Sequence, residues 1–225
     1  MHWKVLLAAM LIIAICGLLL ITPIGQKYTV GIRATLTKNL GSVTSVILRQ
    51  KPSSPFTIEM SADKESFYGQ NFKLDNVSIS IKGNYQSINV GGQSIALKSN
   101  KEITVNIQDA SGMFEMLSNG DVRVNVNSYY LEIDDYVFSS GKTMKVDIEI
   151  TPSAFSVFPL VVDKITFSSV TGEVKRVGET NVNTAEMIGS KLEINGFSGY
   201  LKMENGKIIL NGLSSSVKGD TFNFV

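Results

Sequence analysis

The feature of this sequence that most constrains its fold is a strict alternation of apolar and polar residues, which begins near Val43. The segment KEITVNIQ places Ile103, Val105 and Ile107 on one side and polar residues on the other. The segments DVRVNVN and TMKVDIEI repeat this pattern. Because successive side chains of a β-strand point to opposite faces, these segments predict antiparallel strands with one buried face and one solvated face.

The segment LKMENGKIILNG predicts a β-hairpin, because Asn205-Gly206 is the dipeptide that two-residue hairpin turns favour. Similar turn signals occur at Gly83-Asn84, Gly91-Gly92 and Asn119-Gly120. The apolar sheet face that the alternation predicts consists of Ile103, Val105, Ile107, Val122, Val124, Val126, Met144, Val146, Ile148, Ile150, Leu201, Met203, Ile208 and Leu210.

Three segments depart from the simple alternation. KLDNVSISIKG changes its parity and predicts a bulge near Asp75 and Asn76. NTAEMIGS, around Ala185, predicts a short helix, although its pattern is weak. TPSAFSVFPLVV contains Pro152 and Pro159 and predicts a helical turn or loop at one edge of the sheet.

About a dozen strands each have one apolar face, and each must bury that face against other apolar groups. Two sheets closing on each other as a β-sandwich would do so, and a single curved sheet would instead leave an apolar groove. The alternation is the same in both cases, so the fold class is an all-β domain of either form. The ending DTFNFV, with Phe222 and Phe224 on one face, predicts an exposed final edge that could pair with another chain.

An apolar N-terminal segment precedes the β region. Residues Val5 to Thr22 are 18 consecutive uncharged, mostly apolar residues, and a transmembrane helix needs roughly 20. No small-residue cleavage motif follows, so we predict an uncleaved signal anchor in residues 1–25 rather than a cleaved signal peptide or a lipoprotein signal at Cys16. The residues predicted to form the membrane anchor are Trp3, Val5, Leu6, Leu7, Leu11, Ile12, Ile13, Leu18, Leu19, Leu20 and Ile21.

The anchor predicts the domain organisation and the location of the chain. In residues 26–42, apolar side chains recur every four residues, which predicts a short amphipathic helix or a tether. Residues 43–225 lack a Pro/Ser-rich linker and predict one domain. Because long domains translocate largely regardless of charge, we predict a single-pass protein of the cell membrane with this domain outside the cytoplasm.

The composition argues against most catalysis. His2 and Cys16, the single histidine and the single cysteine, both precede the β region. That region therefore lacks the nucleophile systems built on Ser-His-Asp or Cys-His, the common zinc sites and haem ligands. A net charge of +1 provides no basic surface for nucleic acid. We predict a protein that is not an enzyme and has no cofactor and no nucleic-acid partner.

The segment YLEIDDY is the strongest remaining candidate for chemistry. Glu132 and Asp134 share a strand face, about 7 Å apart, and two such carboxylates could bind a calcium ion or act as an acid/base pair. The alternative is that they belong to the solvated face of an exposed strand. On that alternative, Lys145 on the next strand could neutralise one of them.

Two stretches of the chain resemble AsmA-like proteins. After the anchor, LTKNLGSVTSVIL leads from a helix ending at Leu-Gly into a first strand, and LEINGFSGYLKMENGKIILNG is similar to the hairpins repeated in that family. The resemblance implies a membrane-anchored β-groove that binds or shields lipid at the cell envelope, with no catalytic residues to transfer. The alternative is an anchored β-sandwich that serves adhesion, scaffolding or envelope assembly with a protein partner.

Overall fold

The structure, a computed structural model, describes residues 54–97 and 102–225, and in these ranges it is all-β. The only helical element in them is a 3-10 turn at Lys64–Phe67. Residues 51–225 form one compact unit. The strands are β1 (Phe56–Asp63), β2 (Asn71–Val90), β3 (Gln93–Ser94), β4 (Ile103–Met116), β5 (Val122–Ile133), β6 (Tyr136–Val177), β7 (Val182–Glu204), β8 (Lys207–Ser214), β9 (Ser216–Gly219) and β10 (Asn223–Phe224).

The predicted antiparallel sheet is confirmed, and it closes on itself twice. The strands follow the order β10-β9-β7-β8-β1-β6-β5-β4-β2-β3, and β6 makes two additional pairings, with β7 and with β2. One circuit consists of β2, β4, β5 and the first part of β6. The other consists of the second part of β6, β7, β8 and β1. Within each circuit every neighbouring pair of strands is hydrogen-bonded.

The 42-residue strand β6 belongs to both circuits and winds through them. Phe155 of β6 lies opposite Ile81 of β2 on one side and opposite Met203 of β7 on the other, so the circuits meet there. A path of directly opposed residues crosses the sheet from the edge of β6 at Tyr136 to the edge of β7 at Met187. At both edges, no further strand is paired among the described residues. This path runs through Tyr136, Ile133, Val105, Ile81, Phe155, Met203, Ile208, Ala62, Gly172 and Met187.

The apolar face predicted from the alternation lies in one buried cluster. All its residues are buried except Met144, which is half-buried. Aromatic side chains fill the region where the circuits meet. The ring of Phe114 lies 5.2 Å from that of Phe155 and 6.5 Å from that of Phe72, measured between centroids. The closed pairing therefore encloses the apolar side chains that an open sheet would present.

Two glycines, one in each circuit, allow neighbouring strands to approach closely. Gly112 in β4 and Gly172 in β6 have φ angles of +156° and +155°, which L-residues rarely adopt. A Cβ atom on Gly112 would lie 2.2 Å from the carbonyl oxygen of Asn125, and one on Gly172 would lie 2.2 Å from that of Ser61. Only glycine has neither the steric penalty nor the clash.

The local predictions for the bulge and for the hairpin are confirmed. The register between β2 and β4 shifts between Leu74 and Val77, and Asn76 has a φ of 54°. The hairpin of β7 and β8 turns at Asn205-Gly206, with Glu204 opposite Lys207.

Two predictions of irregular structure are wrong. NTAEMIGS is not a helix but part of β7, because pairing with β6 buries Met187 opposite Gly172. The segment with Pro152 and Pro159 is neither a helical turn nor a loop but the middle of β6. Both prolines lie at shifts of the strand register, where a missing N–H interrupts no regular ladder.

One predicted turn is also wrong: Gly83-Asn84 is not a turn, since β2 continues through it at a register shift. The predicted final edge is present, because β10, which contains Phe224, is the last strand of the sheet order and pairs only with β9 among the described residues. Phe222 and Phe224 pack partly buried against the core, with ring centroids 4.9 Å apart.

The predicted anchor in residues 1–25 and the predicted helix or tether in residues 26–42 lie outside the described residues. Within residues 54–97 and 102–225, no helix has the length and apolar character that crossing a bilayer requires.

Candidate interaction site at the distal hairpin

The candidate site is the hairpin formed by the end of β5 and the start of β6, residues 128–144, which we call the distal hairpin. It contains the segment YLEIDDY. Its turn is built by Asp134, whose φ of 48° suits a short polar side chain. The amide of Asp134 donates to the carbonyl of Thr104 at 2.9 Å, and the amide of Thr104 donates to Oδ1 of Asp134 at 2.8 Å. Asp134 thus ties the hairpin tip to the neighbouring strand β4.

Glu132 has a different partner. The hydroxyl of Tyr130 donates to Oε2 of Glu132 at 3.2 Å on the outer face of β5. The two predicted carboxylates therefore belong to one hairpin but are engaged separately. Among the described residues, no group of three or more His, Cys, Asp or Glu side chains is placed to hold a metal ion.

The predicted neutralisation by Lys145 is wrong. The strand register places Lys145 opposite Asn127, whereas Glu132 lies opposite Val137. The cause is a large bulge in β6: Ser128 pairs with Met144 and Tyr130 with Ser139, so residues 140–143 have no opposite partner on β5.

Burial, the negative charge of Glu132 and the hydrogen bond to it, in that order, raise the pKa of Tyr130 above its usual range. We expect Glu132→Gln to lower the pKa of Tyr130 without returning it fully to normal, since burial remains. A raised pKa in the folded state adds stability below the unfolded tyrosine pKa of about 10, and this contribution is lost as the pH rises through the folded value. Titration by NMR of ¹³C-labelled tyrosine, with Tyr130→Phe to assign the signal, measures the shift; an unchanged pKa in Glu132→Gln would contradict the assigned interaction.

The bulge is stabilised by a buried serine that sequence reasoning missed. Oγ of Ser128 lies 2.6 and 2.7 Å from the carbonyl oxygens of Gln108 and Tyr130, either of which can accept its single proton, and it accepts from the amide of Tyr130 at 3.0 Å. The signal that could have revealed the bulge is the polar stretch SSGKT, which interrupts the alternation between Phe138 and Met144.

One edge of the hairpin has no neighbouring strand among the described residues. β2 pairs with β6 only from Phe158 to Val146, and the amide of Gly91 then donates to the carbonyl of Lys145 at 2.8 Å. From Met144 back to Tyr136, β5 is the only described strand that pairs with β6. We call residues 136–143 the distal edge.

Exposure of apolar side chains increases where β2 is absent. On β6, Val146 and Ile148 are fully buried beside β2, whereas Phe138 is half-buried and Tyr136 is 63% exposed. On the other face, Val137 is 57% exposed. An added strand at the distal edge would lie beside Tyr136 and Phe138 as β2 lies beside Val146 and Ile148.

Ion pairs join some of the charged groups on the rest of the solvated face, for example Lys164 with Glu193 at 2.6 Å and Lys82 with Glu102 at 3.0 Å. In the described part of the chain, Asp134, Asp135 and Lys142 of the distal hairpin form no such ion pair. The hairpin thus combines an unpaired strand edge, exposed apolar side chains and unpaired charges.

Comparison of the chain with protein-family models, with curated proteins and with solved structures found no match. The site itself is therefore what supports a functional conclusion.

Proposed function

We propose that this chain is a non-enzymatic, membrane-tethered β module that acts by binding a protein partner at its distal edge. The observation that carries this proposal is the contrast between the two ends of the apolar face. Its residues are buried inside closed circuits along most of β6 but are exposed at Tyr136, where β2 has ended. Exposed strand edges pair readily with other chains.

The closed pairing favours a protein partner over a lipid groove. A groove for an acyl chain would need apolar side chains facing an opening between unpaired strands. Residues such as Val105, Val124 and Leu210, which the groove hypothesis would place along it, are fully buried against other side chains of this chain. The AsmA-like resemblance stays a prediction that rests on sequence alone.

The test is photo-crosslinking of the full chain in its native membrane. A photoreactive amino acid replaces Val137 in one variant and Asp163, an exposed residue elsewhere on β6, in the matched control. We expect a discrete protein adduct from position 137 and none from position 163, because only the former lies on the unpaired edge. Equal labelling at both positions, or adducts with lipid alone, would contradict the proposal.

We also expect the fragment 51–225 to carry no acyl lipid after purification without detergent, since its apolar side chains are enclosed. Mass spectrometry of the organic extract measures this, with the detergent-solubilised full chain as the positive control for lipid recovery. Stoichiometric lipid in the fragment would favour the lipid-binding alternative.

A further inference from the structure

We propose that Asn76 carries an N-linked oligosaccharide on the outer face of β2. Residues 76–78 read Asn-Val-Ser, which matches the acceptor sequence for this modification, Asn-x-Ser/Thr with x other than proline. This match occurs once in the 225 residues. The inference goes beyond the proposed function and rests, like it, on the predicted tether, because it requires the β domain to lie outside the cytoplasm.

The bulge in β2 leaves Asn76 exposed to solvent. The register between β2 and β4 shifts between Leu74 and Val77, and Asn76 has a φ of 54° there. The backbone amide of Asn76 donates to Oγ of Ser111 at 3.0 Å, which holds the bulge in place. Asn76 and Ser78 are both exposed, whereas Val77 between them is buried. Both polar groups of the acceptor sequence therefore lie on the outer face of the strand.

The atom that receives the sugar, Nδ2 of Asn76, is free to react. Neither this amide nor the hydroxyl of Ser78 makes a hydrogen bond to another described residue. Other asparagine side chains on turns are held in place, since the amide of Asn119, for example, donates to Oδ2 of Asp121 at 2.8 Å. Modification of Asn76 therefore breaks no side-chain hydrogen bond of the folded domain.

The strand pairing leaves room for a sugar beside Asn76. From Asn71 to Val77, β4 is the only described strand that pairs with β2. The pairing of β6 with β2 begins only at Ser78, and from Leu160 onward the described partners of β6 are β7 and β1. A sugar on Asn76 thus has no strand paired with β2 on that side to collide with.

An exposed aromatic ring lies next to the acceptor sequence. Phe158 of β6 is 58% exposed and lies directly opposite Ser78. Two residues along a strand are about 7 Å apart, so the first sugar on Asn76 lies within reach of this ring. The C–H groups of a sugar carry a slight positive charge and pack favourably on the negative face of an aromatic ring. The first sugar therefore packs against Phe158, which accounts for a large apolar side chain on the outer face.

The reaction is a transfer from a lipid-linked oligosaccharide. Nδ2 of Asn76 forms a bond to the anomeric carbon of the first sugar, and the bond from that carbon to the oxygen of the lipid phosphate breaks. The phosphate leaves with the electron pair of the broken bond, and one amide proton passes to a base of the transferase. The product keeps the charge of Asn76 at zero and adds a bulky, hydrated group at the surface.

The first test is mass spectrometry of the full chain purified from its native membrane. We expect the proteolytic peptide that contains Asn76 to carry the added mass of an oligosaccharide, with sugar fragments released on collision. Recovery of this peptide only in its unmodified form would overturn the inference.

Variants of the acceptor sequence identify the modified atom. The full chain is produced in a eukaryotic host, whose secretory pathway supplies the transferase and the lipid-linked donor. We expect one discrete mass increase that peptide N-glycosidase removes. It should be lost in Asn76→Gln and in Ser78→Ala but kept in Ser78→Thr, because threonine supplies the same hydroxyl. A mass increase that persists in Asn76→Gln would overturn the assignment.

A second acceptor sequence separates failure of this inference from failure of the predicted location. In an Asn76→Gln background, Lys207→Thr creates an acceptor sequence that starts at Asn205, in the exposed hairpin turn. Modification at Asn205 without modification at Asn76 in the wild-type chain would overturn the inference and support a β domain outside the cytoplasm. Modification at neither position would contradict both. The distal-edge partner is tested separately, by photo-crosslinking at position 137.

The contact with Phe158 has its own measurement. Removal of the glycan by peptide N-glycosidase should lower the thermal midpoint of the full chain in detergent. In Phe158→Ala the same treatment should leave the midpoint unchanged, because the ring on which the sugar packs is gone. An equal decrease in both chains would overturn the placement of the first sugar against Phe158.

Discussion

Gly172→Ala is expected to destabilise the β domain by about 3–5 kcal/mol, combining backbone strain with a steric clash. The φ of +155° is unfavourable for alanine, and the new Cβ would lie 2.2 Å from the carbonyl oxygen of Ser61 and 2.6 Å from the Cα of Ala62. Both contacts are to the backbone of β1, which pairs on its other side with β8 and cannot move away without breaking the second circuit.

The matched control is Gly141→Ala on the same strand. No atom lies within 4 Å of a Cβ built at Gly141, and its φ is not in the left-handed range. Alanine there should change stability by less than about 1 kcal/mol, in the stabilising direction, by restricting the unfolded chain. Urea unfolding of the fragment 51–225 measures both variants; equal midpoints would show that the strands do not approach as closely as described.

Phe114→Ala should destabilise the domain by about 3–5 kcal/mol, the usual cost of deleting a buried phenylalanine ring. Phe114 is fully buried, and its ring contacts aromatic rings from β2 and β6. Its neighbour Phe155 lies where β6 pairs with both β2 and β7. Because the cavity would open where the circuits meet, amide hydrogen exchange should accelerate in both circuits together.

Phe158→Ala is the control for loss of an aromatic ring, since Phe158 is 58% exposed on β6. This substitution should change the free energy of unfolding of the domain by less than about 1 kcal/mol. If Phe114→Ala accelerated exchange only in β2, β4 and β5, the two circuits would unfold independently, contrary to their sharing β6.

The strands and their buried faces could be predicted from the sequence because alternation is a local property. Val105, Val146 and Leu210 lie in segments with an apolar residue at every second position. In such a segment the apolar side chains share one face of the strand, whichever strand it pairs with. The hairpin at Asn205-Gly206 and the bulge at Asn76 are equally local, since each depends on a residue that tolerates a positive φ.

The continuity of β6 could not be predicted from the sequence. Pro152 and Pro159 interrupt a strand by every local criterion, yet neighbours on both sides keep the chain extended through them. Met187 lies in a segment with a weak helical pattern, and pairing with the second part of β6 overrides that pattern.

The candidate site was only partly predictable. The carboxylates of YLEIDDY predicted a site in this hairpin. The roles of Glu132 as a tyrosine partner and of Asp134 as a turn residue depend on contacts with Tyr130 and Thr104. The free edge at Tyr136 follows from where β2 ends, which is a property of strand pairing.

The sequence by itself determined that residues in the C-terminal region form one-sided antiparallel strands, because side-chain period and turn chemistry are written into neighbouring residues. Only the tertiary structure decided that these strands close into two circuits around β6 and that no other described strand pairs with the distal edge. Closure depends on the register between residues far apart in the chain, such as Ala62 and Gly172, and the same alternation is compatible with many registers.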